Sequence, residues 1–264
     1  MFGTSADAAL LLHYTFDNPA DRLADTGTGT PAPLTAIGST NSFDVNTPSG
    51  TGAAYNNGAG SNAYLTTGTL ANPDGGTDPA KTDGLTQFTV TLWVNLQAAP
   101  IIGDRLLSDW NTSLTEGFDL RINTASASSF QLGAVVDNQS AFSTTNVTTA
   151  NNNWAFIAFT YDGTQTSANA LLYTGTTSSA ASMLGTALTI NAGAMANGTT
   201  DFQVGGTAAT TNDRSPSALF DDVRMYDSVL SLEELELVRL ANIPEPTVAV
   251  LSLIGTLGLL RRRR

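Results

Sequence analysis

Short apolar runs, separated by polar stretches rich in Gly, Thr, Ser and Asn, set the pattern of this chain, and several of the runs alternate with a period of two. In Gln87 to Asn95, Phe88, Val90, Leu92 and Val94 share one face, while Thr89, Thr91 and Trp93 share the other. This is the pattern of a strand with one face in a sandwich core. Comparable runs predict strands at Leu10 to Phe16, Arg105 to Trp110, Gly117 to Ile122, Phe130 to Val136, Trp154 to Tyr161, Ala170 to Tyr173, Phe202 to Val204 and Leu219 to Tyr226. Asp162-Gly163 closes the Trp154 run as a hairpin signal, because glycine tolerates positive φ, so the following strand is expected to pair antiparallel. One helix is signalled: Ser231 and Glu234 form a capping box, and Leu235 and Val238 follow at helical spacing. Asp17 to Ala59 and Thr66 to Gly84 hold only scattered apolar residues and read as long loops.

Length and composition narrow the chemistry. Residues 9–240 suit one large all-β domain with no internal boundary. The chain has no cysteine, which excludes disulfides, thiolate metal sites and a Cys nucleophile. Its formal charge is −12 and its single lysine is Lys81, so nucleic acid is excluded as a partner, since phosphate binding needs clustered Lys and Arg. Divalent cations are the more natural partners of such a body.

Residues 241–264 differ from the rest. Pro244-Glu245-Pro246 precedes an apolar run from Thr247 to Leu260, and Arg261, Arg262, Arg263 and Arg264 end the chain. This order of parts resembles the PEP-CTERM sorting signal of Gram-negative bacteria, which implies an exosortase-type membrane peptidase as partner. The run is shorter than the roughly 20 residues that span a bilayer, and terminal arginines resist translocation. A transient inner-membrane anchor with the C-terminus inside and the body exported is the expectation. At the other end, Ala6-Asp7-Ala8 has the small-x-small form of a signal cleavage site. Residues 1–8 are therefore expected to be the remnant of an export signal or a disordered N-terminus.

Three segments in order resemble the laminin G-like, concanavalin A-like jelly-roll domains: Leu12 to Asp17, Trp154 to Gly163, and Phe220 to Tyr226 with Leu230 to Leu235. Phe88 to Val94 is similar to a further recurring segment of that family. The resemblance implies a two-sheet antiparallel sandwich over residues 9–240 with one short C-terminal helix, and a first strand lying beside the last. It would bring Asp17 and Asp25 near Asp221 and Asp222, an oxygen-rich set suited to a structural calcium ion. Local turn and strand-end bonds are the alternative role for these aspartates.

The same sandwich hosts glucanases, whose chemistry needs two carboxylates about 5 to 10 Å apart. The glutamates are Glu116, Glu233, Glu234, Glu236 and Glu245, and no Glu-x-Asp-x-Glu pattern occurs. Asp119, three residues beyond Glu116, is expected on the opposite strand face. His13 is the only histidine and reads as a packed strand residue, so neither a serine-hydrolase relay nor a zinc site is expected. For a sugar, Trp110 with Asn111 at a strand end and Trp93 on the non-core face are the candidate contacts, while Trp154 is expected in the core. The expectation is a non-enzymatic, exported adhesion or carbohydrate-binding module. A structural matrix protein without a discrete ligand and an atypical glycoside hydrolase are the alternatives.

Overall fold

The computed structural model describes residues 8–58, 62–68, 81–109, 115–126, 129–147, 152–196, 201–207 and 214–243. Its elements run β1 (Leu10–Tyr14), β2 (Thr35–Ile37), β3 (Ser42–Asp44), β4 (Ala54–Asn56), β5 (Tyr64–Thr66), β6 (Gln87–Leu96), β7 (Arg105–Ser108) and β8 (Phe118–Ala125). They continue with β9 (Phe130–Val136), β10 (Gln139–Phe142), β11 (Trp154–Asp162), β12 (Ala170–Thr176), β13 (Ser182–Met183), β14 (Gln203–Val204), β15 (Ala218–Tyr226) and α1 (Leu232–Ala241). The strands form two antiparallel sheets, as the all-β sandwich expectation required. One is eight-stranded, in the order β13-β12-β11-β6-β15-β4-β3 with β1 also on β15. The other is seven-stranded, in the order β10-β9-β8-β7-β14-β5-β2.

Alternation decides what each face meets. Phe88, Val90, Leu92 and Val94 of β6 pack into the main core with Phe118, Leu120 and Ile122 of β8 and Leu132 and Ala134 of β9. The opposite face of the eight-stranded sheet carries a second apolar cluster, in which Trp93, Phe156 and Ala158 meet Leu235 and Val238 of α1. The helix is there because its capping box is formed, with Ser231 and Glu234 bonding reciprocally, and because its apolar side needs a sheet face to cover. β11 pairs antiparallel with β12, as the Asp-Gly signal predicted.

The predicted loop between Asp17 and Ala59 contains β2, β3 and β4, and β5 lies just beyond it. These strands are three residues each, too short for a periodic pattern to show, and they bury Tyr55 and Leu65 through pairing with distant strands. The chain ends meet as the resemblance implied: β1 runs antiparallel to β15, setting Tyr14 opposite Val223. A register slip in β15 against β6 between Asp221 and Arg224, with Asp222 at φ 47, is a β-bulge.

Candidate functional site

The bulge re-aims Asp222. Its Oδ1 lies 2.9 Å from His13 Nε2 and accepts from Arg224 Nε at 2.8 Å. His13 Nδ1 stands 3.0 Å from Thr26 Oγ1, and with Asp222 at its other nitrogen the predicted packed histidine links β1 to β15. Asp221 is buried, accepts the Asp222 N–H, and has its carboxyl pushed up to about 8 by burial first, then by the charges of Asp222 and Asp17. Asp17 accepts the Ala53 N–H. Asp25 is tied to Lys81 and accepts backbone N–H groups of His13, Gly27 and Ala32.

The expected calcium set is therefore split. Asp17, Asp221 and Asp222 share one neighbourhood, but Asp25 and Asp222 already hold cationic or ring-nitrogen partners. Among the described residues no group of three or more His, Cys, Asp or Glu is placed to hold a metal ion. The bonds these aspartates make are of the turn and strand-end kind, and through Asp222 and His13 they join β1 to β15.

Trp93 is fully buried under α1, so it offers no face to a sugar. Sequence alternation put it on the non-core face correctly, but the helix covers that face. Trp154 belongs to the same helix-covered cluster rather than the main core, and its indole N–H donates to Asn46 Oδ1 at 3.1 Å. Trp110, Asn111, Pro244, Glu245, Pro246 and Arg261 to Arg264 lie outside the described residues.

An arrangement that sequence reasoning missed lies on the outer face of the seven-stranded sheet. Phe118, Leu120 and Ile122 of β8 point into the core, so Asp119, Arg121 and Asn123 point outward by strand alternation. The β7–β8 register sets Arg105 opposite Arg121. Arg105 Nε lies 2.8 Å from Asp119 Oδ2, with Arg121 Nη1 at 3.5 Å from the same oxygen. Burial is the largest influence on this pair: it pushes the Asp119 carboxyl up against the pull of three arginines, and the Arg105 guanidinium down against the pull of Asp119. Arg214, on a separate segment, reaches in and donates to the Ile102 carbonyl at 3.0 Å. Gly103 makes room for it: its φ is +94, and a Cβ there would strike the Arg214 guanidinium.

Phe142 completes the wall. It sits opposite Gly133 in the β9–β10 pair, where a Cβ on Gly133 would collide with the ring. The ring therefore lies over bare backbone, with the Arg121 guanidinium 5.6 Å from its centre. It stays 39–40% exposed, like Phe43, unlike the other large aromatic rings of the described residues. Ile102, Arg105, Arg121, Asn123, Phe142 and Arg214 surround a cavity of about 240 Å³. That is below the roughly 300 to 1,000 Å³ of drug-sized sites, and matches a single small ring or chain end.

Comparison with known proteins places the fold. The sequence profile of the concanavalin A-like lectin/glucanases superfamily, Laminin_G_3, matches residues 59–236, more than half of the chain. The chain belongs to this superfamily. No curated protein matches it. Domain 4 of AbnA, a GH43 extracellular arabinanase from Geobacillus stearothermophilus solved in complex with arabinotriose, is 18% identical, with a TM-score of 0.58 over 88% of this chain and 99% of that one. The botulinum neurotoxin serotype G binding domain is 16% identical, with a TM-score of 0.53 over 88% of this chain and 51% of that one. The binding domain of Paraclostridial Mosquitocidal Protein 1 is 11% identical, with a TM-score of 0.55 over 87% and 51%. This chain thus spans about half the length of the two toxin chains. At these identities the likeness concerns fold.

In this lectin/glucanase-type domain the carboxylates nearest to Glu116 are engaged structurally. Asp137 accepts the Gly117 and Ala196 N–H groups at 3.2 and 3.0 Å, and burial raises its carboxyl, with Glu116 adding to the rise. Asp109 is wholly buried, which pushes its carboxyl well up, and it accepts the Phe118 N–H. Asp119 is bound to Arg105 rather than facing Glu116 across a groove.

Proposed function

We propose that the protein is a non-enzymatic carbohydrate-binding module of the cell exterior, with the pocket between Phe142 and Arg214 as its site. One observation carries this reading: a half-exposed aromatic ring packed on the bare backbone of Gly133 beside a small, donor-rich cavity. A flat apolar ring suits the C–H face of a sugar, and arginine and asparagine side chains suit its hydroxyls. The arabinanase domain solved with arabinotriose and the toxin binding domains support the reading as relatives in fold, without assigning the ligand. Export through the Pro244-Glu245-Pro246 tail and removal of residues after it by an exosortase-type peptidase would deliver the module outside.

The test is a glycan array probed with the full chain and with Phe142→Ala. Selective glycan binding that Phe142→Ala removes supports the proposal. Binding unchanged by that substitution, or no binding to any glycan, overturns it. For the tail, expression beside an exosortase should give a product lacking residues 247–264, and Pro244→Ala with Pro246→Ala should block that cleavage.

A further inference from the structure

The distribution of positive charge points to the kind of sugar. The chain carries a formal charge of −12, and outside the terminal cluster its arginines are Arg22, Arg105, Arg121, Arg214, Arg224 and Arg239. Half of these line one small cavity. Arg224 is consumed by Asp222 and Arg239 by Glu236, each in a close pair. The pocket differs because three guanidiniums share Asp119, with Asp104 as the further acidic neighbour. Counted as formal charges over the described residues, three arginines against Asp104 and Asp119 leave an excess of +1.

That excess sits where a ligand can reach it. Arg105 is 4% exposed and Asp119 is fully buried, so this pair is the foundation. The Arg121 side chain is 19% exposed and Arg214 is half-buried, and both line the cavity. The Nε of Arg214 is buried without a hydrogen-bond partner among the described residues. That atom is closed to solvent, so an oxyanion would meet the guanidinium elsewhere on its fork. A planar guanidinium fork matches a carboxylate or sulfate in geometry as well as charge.

We infer that this pocket takes an anionic sugar residue, a uronate or a sulfated ring, whose oxyanion meets Arg121 and Arg214 while its apolar face lies on Phe142. This rests on the glycan-binding reading above and sharpens it. On an acidic body, a polyanion is repelled everywhere except where positive charge is concentrated, so the pocket also fixes where along the surface such a polymer can dock. The cavity volume admits one ring, with the rest of the polymer lying along the sheet.

The experiment is calorimetric titration of the full chain with three sugar probes, trigalacturonate, its fully methyl-esterified form and a sulfated galactan trisaccharide, and with triglutamate as a peptide control. The expected result is that at least one anionic probe binds about 10- to 100-fold more tightly than the ester, the range set by a hydrogen bond to a charged group. Which anionic probe wins distinguishes carboxylate from sulfate. Arg121→Gln should remove that preference, and Arg214→Gln should do the same, with the folding of both variants checked by thermal unfolding. Raising the salt concentration should weaken only the anionic probe. Equal binding of acid and ester, insensitive to either substitution, overturns the charge inference while leaving glycan binding intact. Binding of triglutamate as tight as that of trigalacturonate overturns it in favour of an acidic peptide. Failure of all three probes, together with an empty glycan array, overturns the glycan reading as well.

Discussion

Two charged clusters lie on opposite sheets of this sandwich, and they use charge in different ways. The clasp of His13, Asp17, Asp221, Asp222 and Arg224 joins the first strand to the last, with bonds between β1 and β15 and within β15 itself. The pocket of Arg105, Asp119, Arg121 and Arg214 also has a buried pair at its base, but it ends in guanidiniums that border a cavity. In the clasp acidic groups are in excess and one of them, Asp221, is driven toward its neutral form. In the pocket basic groups are in excess, and arginine cannot shed its proton at ordinary pH. A surplus of carboxyls can be quenched by a proton; a surplus of guanidiniums has to find an anion. On the proposed reading, that difference leaves the first cluster to hold the fold and the second to meet a ligand.

Removing the buried base of the pocket should have the largest effect. Asp119→Ala leaves Arg105 buried without its partner, and urea unfolding should show a loss of about 3 to 5 kcal/mol. A loss under about 1 kcal/mol would mean that the pair is not buried as described. The clasp should answer to pH instead. The Asp221 carboxyl is raised when folded relative to an ordinary unfolded aspartate near 3.9, so the folded state holds the extra proton. Its contribution to stability is complete below about pH 4 and is lost as pH climbs to about 8, by at most about 1.4 kcal/mol per pH unit. Asp221→Asn should flatten that slope in unfolding curves taken at pH 5, 6, 7 and 8.

A smaller effect is expected from His13→Ala. Asp222 keeps Arg224, so the cost is one charge-assisted bond, about 1 to 2 kcal/mol. Phe142→Ala is expected to cost under about 1 kcal/mol in stability, because the ring is half-exposed and its contact with Arg121 is a surface cation–π pair, yet it should remove glycan binding. The least expected change is from calcium: neither the ion nor a chelator should move the thermal midpoint. A chelator-reversible rise would restore the ion site at Asp17, Asp221 and Asp222 by linkage.

Much of the clasp was legible in the sequence and almost none of the pocket was. The clasp falls within two predicted strands, Leu10 to Phe16 and Leu219 to Tyr226, and the resemblance to the laminin G-like domains implied that they lie side by side. What could not be read was the bulge at Asp222, which turns that carboxylate toward His13 and Arg224. The pocket depends on Arg105, Arg121 and Arg214, which are far apart in sequence and are joined only by strand register and by a separate segment. Phe142 sits in a four-residue strand with too few apolar positions to show a period. A faint signal existed: Asp119, Arg121 and Asn123 alternate with Phe118, Leu120 and Ile122, which marks a polar outer face in a chain with very few arginines. Trp93 shows the converse limit, since alternation gives the face a residue takes but not what covers it.

The central claim is that a sugar sits between Phe142 and Arg214. The most direct measurement is a crystal structure of the full chain grown with the tightest glycan from the array. The account predicts one ring stacked on Phe142 with its oxyanion against Arg121 and Arg214. Glycan density seated on any other face, with this pocket holding only water, would contradict it.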